Sequence, residues 1–111
     1  MAFLKKRADF LALKTGRKSG AAAFLLVKRH RNDGGQAVRV GFTVTKKLGG
    51  AVVRNRIRRR LREAARALLP VVGEEGCDYV LIARSAAETQ KYADLLDDMK
   101  RALLSLARTS T

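Results

Sequence analysis

The residues with the clearest chemical purpose lie in KKLGGAVVRNRIRRRLREA, positions 46–64. Lys46, Lys47, Arg54, Asn55, Arg56, Arg58, Arg59 and Arg62 fall inside it, and Arg66 follows two residues on. A guanidinium is a planar fork of donors that matches two phosphate oxygens at once and also stacks on bases. Arg58, Arg62 and Arg66 recur at i, i+4 and i+8, which places them in one row on a helix, with Arg59 beside them. Like charges at that spacing cost an isolated helix roughly 0.2–0.5 kcal/mol per pair. A merely solvated face leaves that cost unexplained, whereas a polyanion lying along the row offsets it. The chemistry indicated is the gripping of phosphates.

Covalent chemistry is harder to find. The chain has one histidine, His30, and one cysteine, Cys77, and no pair has metal-ligand spacing. His30 lies in the basic run KRHRND and reads as solvated or phosphate-contacting; Cys77 opens a strand and reads as a small buried apolar residue. Before residue 70 the only acids are Asp9, Asp33 and Glu63. Asp9 suits a cap on a first helix, Asp33 a turn, and Glu63 sits among arginines. Metal-dependent phosphodiester hydrolysis needs at least two converging acids, and no such pair is legible. Gly49-Gly50 before a helix could cradle a phosphate on free backbone N–H groups, but the full phosphate-loop pattern is missing. No residue is therefore assigned a catalytic or metal-ligating role.

The charge balance agrees with a polyanionic partner. The net charge is +14, and it is unevenly spread. Residues 1–70 carry 19 basic and 3 acidic side chains, a net of +16; residues 71–111 carry 5 and 7, a net of −2. Such a field opposes compaction and serves an anionic ligand. Nucleic acid fits better than a membrane surface, because the apolar stripe of the basic segment is short and aliphatic, without the Trp or Phe of an interfacial helix. With 111 residues, 47% hydrophobic, the chain reads as one globular domain. One cysteine precludes an internal disulfide and suits a reducing compartment. No apolar run approaches a membrane span, and MAFLKKRADF lacks a secretory h-region, so a cytoplasmic location is expected.

The elements that must position these side chains follow from periodicity. Residues 7–15 read as a short helix with Phe10, Leu13 and Lys14 on one side, stopped by Gly16. Residues 22–29 read as a buried strand. Asn32-Asp33-Gly34-Gly35 is a turn. Residues 36–45 alternate, with Val38, Val40, Phe42 and Val44 on one face and Arg39, Gly41, Thr43 and Thr45 on the other. With the turn before them they predict an antiparallel hairpin. From Val52 a helix buries Val53, Ile57, Leu61, Ala64 and Leu68, all within about 40° of Ile57. Arg54 and Arg60 flank that stripe with their heads in water, and Pro70 closes the helix. A strand at 77–84 and a helix from Tyr92, with Tyr92, Leu95, Leu96, Met99, Leu103 and Leu106 inward, complete the chain. The order helix, strand, strand, helix, strand, helix predicts an α+β layer of helices on a small mixed sheet.

Residues 46–63 also resemble the signature of the bacterial ribonuclease P protein component. The resemblance runs through Lys46, Lys47, Gly49, Ala51, Val52, Arg54, Asn55, Arg56, Arg59, Arg60, Arg62 and Glu63, without a gap. Asp9-Phe10, Arg39-Val40-Gly41, Asp78-Tyr79 and Ala83-Arg84 extend it over nearly the whole chain. The resemblance implies one domain over residues 1–111 of αβββαβα-like order, with a left-handed βαβ crossover, like the second domain of a small-subunit ribosomal protein. It implies a subunit of a ribonucleoprotein endoribonuclease that removes the 5′ leader of precursor tRNA. There the catalytic RNA performs hydrolysis with Mg²⁺ held by RNA and substrate, with one protein per RNA. Lys46, Lys47, Arg54, Asn55, Arg56, Arg58, Arg59, Arg62 and Arg66 are then expected on the catalytic RNA. Phe10, Lys14, Arg39 and Thr43 are expected on the leader. Lys14 stands where relatives often carry a second aromatic, which implies a phosphate contact there, and Lys5, Lys6 and Arg7 stand in for a longer N-terminal arm. A stand-alone RNA-binding module, such as a ribosomal protein, would explain the charge but not the ordered Arg-Asn-Arg signature. A protein nuclease would lack its acids.

Overall fold

The computed structural model describes residues 2–107. Its elements are β1 (Ala2–Phe3), α1 (Arg7–Ala12), β2 (Arg17–Gly20), β3 (Phe24–His30), β4 (Arg39–Thr43), α2 (Ala51–Val72), β5 (Cys77–Ala83) and α3 (Tyr92–Leu106). Short 3₁₀ turns lie at Leu13–Thr15, Lys46–Leu48 and Ser85–Glu88. One five-stranded mixed sheet runs in the order β1-β4-β5-β3-β2. From α1 onward the elements follow αβββαβα, in the α+β class expected.

The alternation of β4 is realised. Val40 and Phe42 face one side of the sheet, where α2 and α3 close the larger core with Ile57, Leu61, Ala64, Leu81, Leu95 and Met99. Arg39, Gly41 and Thr43 face the other side. That side holds only a small cluster, Leu4, Leu13, Val27 and Val80, with Phe10, Leu25 and Ile82 packed against it. The short α1 covers one end of this second face, and the rest stays open. On α2, Ile57, Leu61 and Ala64 are fully buried, and Val53 and Leu68 half-buried, as the stripe predicts; Ala65 and Leu69 widen it.

The predicted hairpin does not form. β5 inserts between β3 and β4, antiparallel to β3 from Phe24↔Ala83 to His30↔Cys77 and parallel to β4 from Arg39↔Asp78 to Thr43↔Ile82. The physical reason is burial: β5 is buried at every residue but Ile82, so it takes the sheet centre, with a strand paired on each edge. The Asn-Asp-Gly-Gly turn still forms, with Asn32 and Gly34 at positive φ and the Gly35 N–H donated to Asp33 Oδ1 at 2.9 Å. It redirects a loop that steps over one strand instead of pairing its neighbours. β4 and β5 are then parallel neighbours joined through α2, a βαβ unit.

Smaller corrections have local causes. Two strands escaped the sequence reading. β2 is RKSG, a polar edge strand without an alternating pattern, and β1 is two residues long. Pro70 does not end α2, which continues to Val72. So near the C-terminus the missing Pro N–H removes a single bond, and Gly73 N–H still reaches the Leu69 carbonyl at 2.8 Å. Tyr92, expected inward, is 37% exposed at the first position of α3. Asp9 is not a cap: the N-cap of α1 is Lys6, and Asp9 in the first turn faces Arg39 at 3.6 Å. The head of Arg60 is not in water but donates to the Ala87 carbonyl at 3.0 Å and to that of Gln90, tying α2 to the Ser85–Glu88 turn.

Candidate nucleic-acid interface

The basic row arises because α2 is long and starts sharply. Gly49 has φ +143°, and a Cβ there would stand 2.9 Å from Val53 Cβ, so glycine lets the chain turn directly into the helix. Lys46 and Lys47 lie exposed on the preceding turn. Asn55 accepts from Arg58 Nη1 at 3.1 Å, and Arg59 is exposed. Arg54 is half-buried, and its Nε has no hydrogen-bond partner among the described residues. Arg56 is engaged on the other flank by Glu88 at 2.9 Å.

Arg58, Arg62 and Arg66 are set apart from these. Together with Phe3, Phe10 and Phe42 they line a groove of about 400 Å³ at the outer edge of β4. Phe3 and Phe42 have ring centroids 6.3 Å apart, and the Arg62 guanidinium lies 5.8 Å from the Phe3 centroid. None of the three arginines has a carboxylate partner among the described residues.

A second hollow of about 410 Å³ occupies the open sheet face. Phe10, Lys14 and Thr43 line it, as do Leu25, Val27 and Lys18. Its floor is apolar and its rim carries two lysines. Phe10 borders both hollows. Arg39, expected in this cleft, is committed elsewhere: its Nε and Nη2 donate to Asp78 at 2.7 and 2.6 Å. Arg31 Nη1 donates to the same carboxylate at 2.8 Å. Burial alone would raise the Asp78 carboxyl, but the hydrogen bonds from Arg39 and Arg31 hold it below its ordinary value. Arg39 thus ties β4 to β5 at the end of the strands away from Thr43.

The residues offering other chemistry are placed apart. His30 is exposed at the end of β3, its Nδ1 accepting the Asn32 N–H at 3.2 Å. Cys77 is buried, and burial pushes its thiol up. Among the described residues no group of three or more His, Cys, Asp or Glu comes together to hold a metal ion.

Phe3, Lys18, Gly41 and Phe42 belong to these hollows and were missed as site residues. Lys18 sits opposite Val27 in the β2–β3 register, so it shares the cleft face; the missed strand hid it. Phe3 reaches the groove only because β1 pairs in parallel with β4, Phe3 opposite Val40. No local pattern announces such a non-local pairing.

A small mixed sheet with its two long helices on one side, an open apolar cleft rimmed by lysines on the other and a helix bearing arginines without carboxylate partners among the described residues define a small basic α+β protein suited to a polyanionic strand. The family model Ribonuclease P matches residues 1–107. The ribonuclease P protein component of Caulobacter vibrioides is 55% identical over 105 residues, covering 94% of this chain and 70% of that protein. That of Ruegeria pomeroyi is 50% identical over 105 residues, covering 93% and 84%. The RNase P protein structure from Staphylococcus aureus superposes with TM-score 0.77 at 28% identity, covering 98% of this chain and 97% of that one. The Thermotoga maritima protein gives 0.76 at 29%, covering 95% and 94%. The chain belongs to the ribonuclease P protein family.

Proposed function

We propose that this chain is the protein subunit of a tRNA-processing ribonucleoprotein, and that it binds two RNAs on two surfaces. The catalytic RNA lies along α2 and its approach, on Lys46, Lys47, Asn55, Arg58, Arg59, Arg62 and Arg66, with Arg54 beside them. Arg56 keeps its bond to Glu88 and shares in the contact from the flank. The single-stranded 5′ leader of precursor tRNA lies in the open cleft. The observation that carries this reading is the cleft itself: one aromatic ring, Phe10, above an apolar floor, with Lys14 and Lys18 at the rim. Unpaired RNA needs such a site, cations for its backbone and a ring for its bases. Lys14 meets a phosphate, and Thr43 offers a hydroxyl to the strand. Arg39 acts on the leader indirectly, by holding β4 in register with β5.

Hydrolysis is assigned to the RNA subunit, where Mg²⁺ held by RNA phosphates would polarise the scissile bond and activate water. This chain's residues bring the leader and the catalytic RNA to a common place and neutralise their mutual repulsion. In the cytoplasm, one protein per RNA suffices for that role. The test is direct: add the purified protein to a catalytic RNase P RNA at low Mg²⁺ and follow precursor tRNA cleavage. The protein should restore cleavage that the RNA alone loses at that Mg²⁺ level. No stimulation by folded protein would refute the subunit role and favour a stand-alone RNA-binding module.

A further inference from the structure

The groove at the β4 edge has a composition that the phosphate-binding row does not require. A phosphate wall needs arginines only. Here Arg58, Arg62 and Arg66 stand over a floor of three aromatic rings, in a chain with 5% aromatic residues. Phe3 is 38% exposed, with one side on Phe42 and the Arg62 guanidinium close to its ring. β1 ends at Phe3, opposite Val40, so β4 is uncovered beyond that point and the hollow stays open. We infer that this groove holds one unpaired nucleotide of the catalytic RNA: its base stacks on Phe3 against the aromatic floor, and its flanking phosphates lie on Arg62 and its neighbours. Exposed base faces stack on aromatic side chains, and guanidinium groups bind the backbone beside them. The catalytic RNA is favoured over the leader because the groove's cationic wall is α2 itself. Phe10, seated on the β4 backbone at Gly41, separates it from the cleft. The inference rests on the reading of α2 as the catalytic-RNA face and adds to it a base, an apolar contact and a position.

The experiment measures affinity of the protein for catalytic RNA without substrate, across salt concentrations. Phe3→Leu keeps the apolar contact on Phe42 and removes the stacking ring. It should weaken binding by about five- to 150-fold, the range of one lost base stack, with the salt dependence unchanged, because stacking releases no counterions. Phe3→Trp should retain wild-type affinity. Ultraviolet crosslinking of the unsubstituted protein should join the Phe3 peptide to a single unpaired nucleotide of that RNA, a readout that needs no variant to fold. Unchanged affinity of a folded Phe3→Leu protein, or crosslinks only to helical segments, would overturn the proposal. So would intact assembly combined with weakened binding of precursor but not mature tRNA, which would give the groove to the leader. Failure of the underlying reading looks different: there the unsubstituted protein itself does not bind the catalytic RNA.

Discussion

The ring of Phe10 lies directly on the backbone of Gly41. A Cβ added at Gly41 would stand 2.6 Å from both Cε1 and Cζ of that ring, closer than atoms pack. The glycine is thus part of the leader cleft although it has no side chain, because it lets the aromatic platform rest on β4. Gly41→Ala should displace the ring. Since α1 is short and Phe10 half-buried, the helix gives way before the sheet does. The expected result is a modest stability loss, about 1 kcal/mol. Holoenzyme binding of precursor tRNA should weaken by about fivefold or more, with mature tRNA binding unchanged. A large fall in melting temperature with both tRNAs bound equally less well would make Phe10 a core residue only.

The arginine row should show itself in salt dependence. Replacing Arg58, Arg62 and Arg66 with Ala removes three cations that have no carboxylate partner among the described residues and leaves Ile57, Leu61 and Ala64 buried. The variant should fold. Its binding to catalytic RNA should weaken, and the log–log salt slope should lose somewhat under ~1 for each phosphate contact removed. An unchanged slope in the folded variant would return that face to solvent.

Catalysis by the protein itself is not expected at any Mg²⁺ concentration. The acids near the candidate RNA surfaces are already employed: Asp9 and Asp78 face Arg39, Asp33 holds its turn, and Glu88 pairs with Arg56. Glu63 remains exposed, and among the described residues no cluster of acids forms that could share a metal with it. The check is incubation of RNA-free protein with precursor tRNA. Sustained cleavage, abolished by one acidic substitution, would establish a protein nuclease.

The sequence was most legible where one element speaks for itself. The stripe through Ile57 and Leu61 placed α2, and the alternation through Val40 and Phe42 gave the two faces of β4. Signals of this kind are local, since each residue's neighbours report its environment. The hairpin failed for the opposite reason. Whether β4 pairs with β3 or with β5 depends on a strand some 40 residues further along, and the turn at Asn32–Gly35 is compatible with either. The site divides in the same way. Lys14 and Thr43 are expected there from the family resemblance, and both line the cleft, but Phe3 and Lys18 belong to edge strands too short to be seen. Arg39 falls on the face the alternation predicts, but its engagement by Asp78 is a contact between β4 and β5 that neither strand's own pattern announces.

That ion pair makes the last prediction, about acid stability. Asp78 is 1% exposed and accepts hydrogen bonds from Arg31 and Arg39. Its folded carboxyl is held below the ordinary aspartate value, which applies in the unfolded chain at about 3.9. The unfolded state therefore binds the proton first. The pair's contribution is fully present above about pH 4 and is lost as the pH falls through the lower, folded value. Wild-type stability should thus decline steeply only below about pH 4. Asp78→Asn leaves Arg31, whose side chain is only 7% exposed, with the exposed Asp33 at 3.2 Å, and Arg39 with Asp9 at 3.6 Å. With those partial replacements it should cost about 2 kcal/mol at neutral pH and flatten the acid decline. Chemical denaturation at pH 7 and at pH 3 measures both effects. If the two proteins lose equal stability between those values, Asp78 does not titrate as an ion-paired carboxylate and the tie between β4 and β5 lies elsewhere.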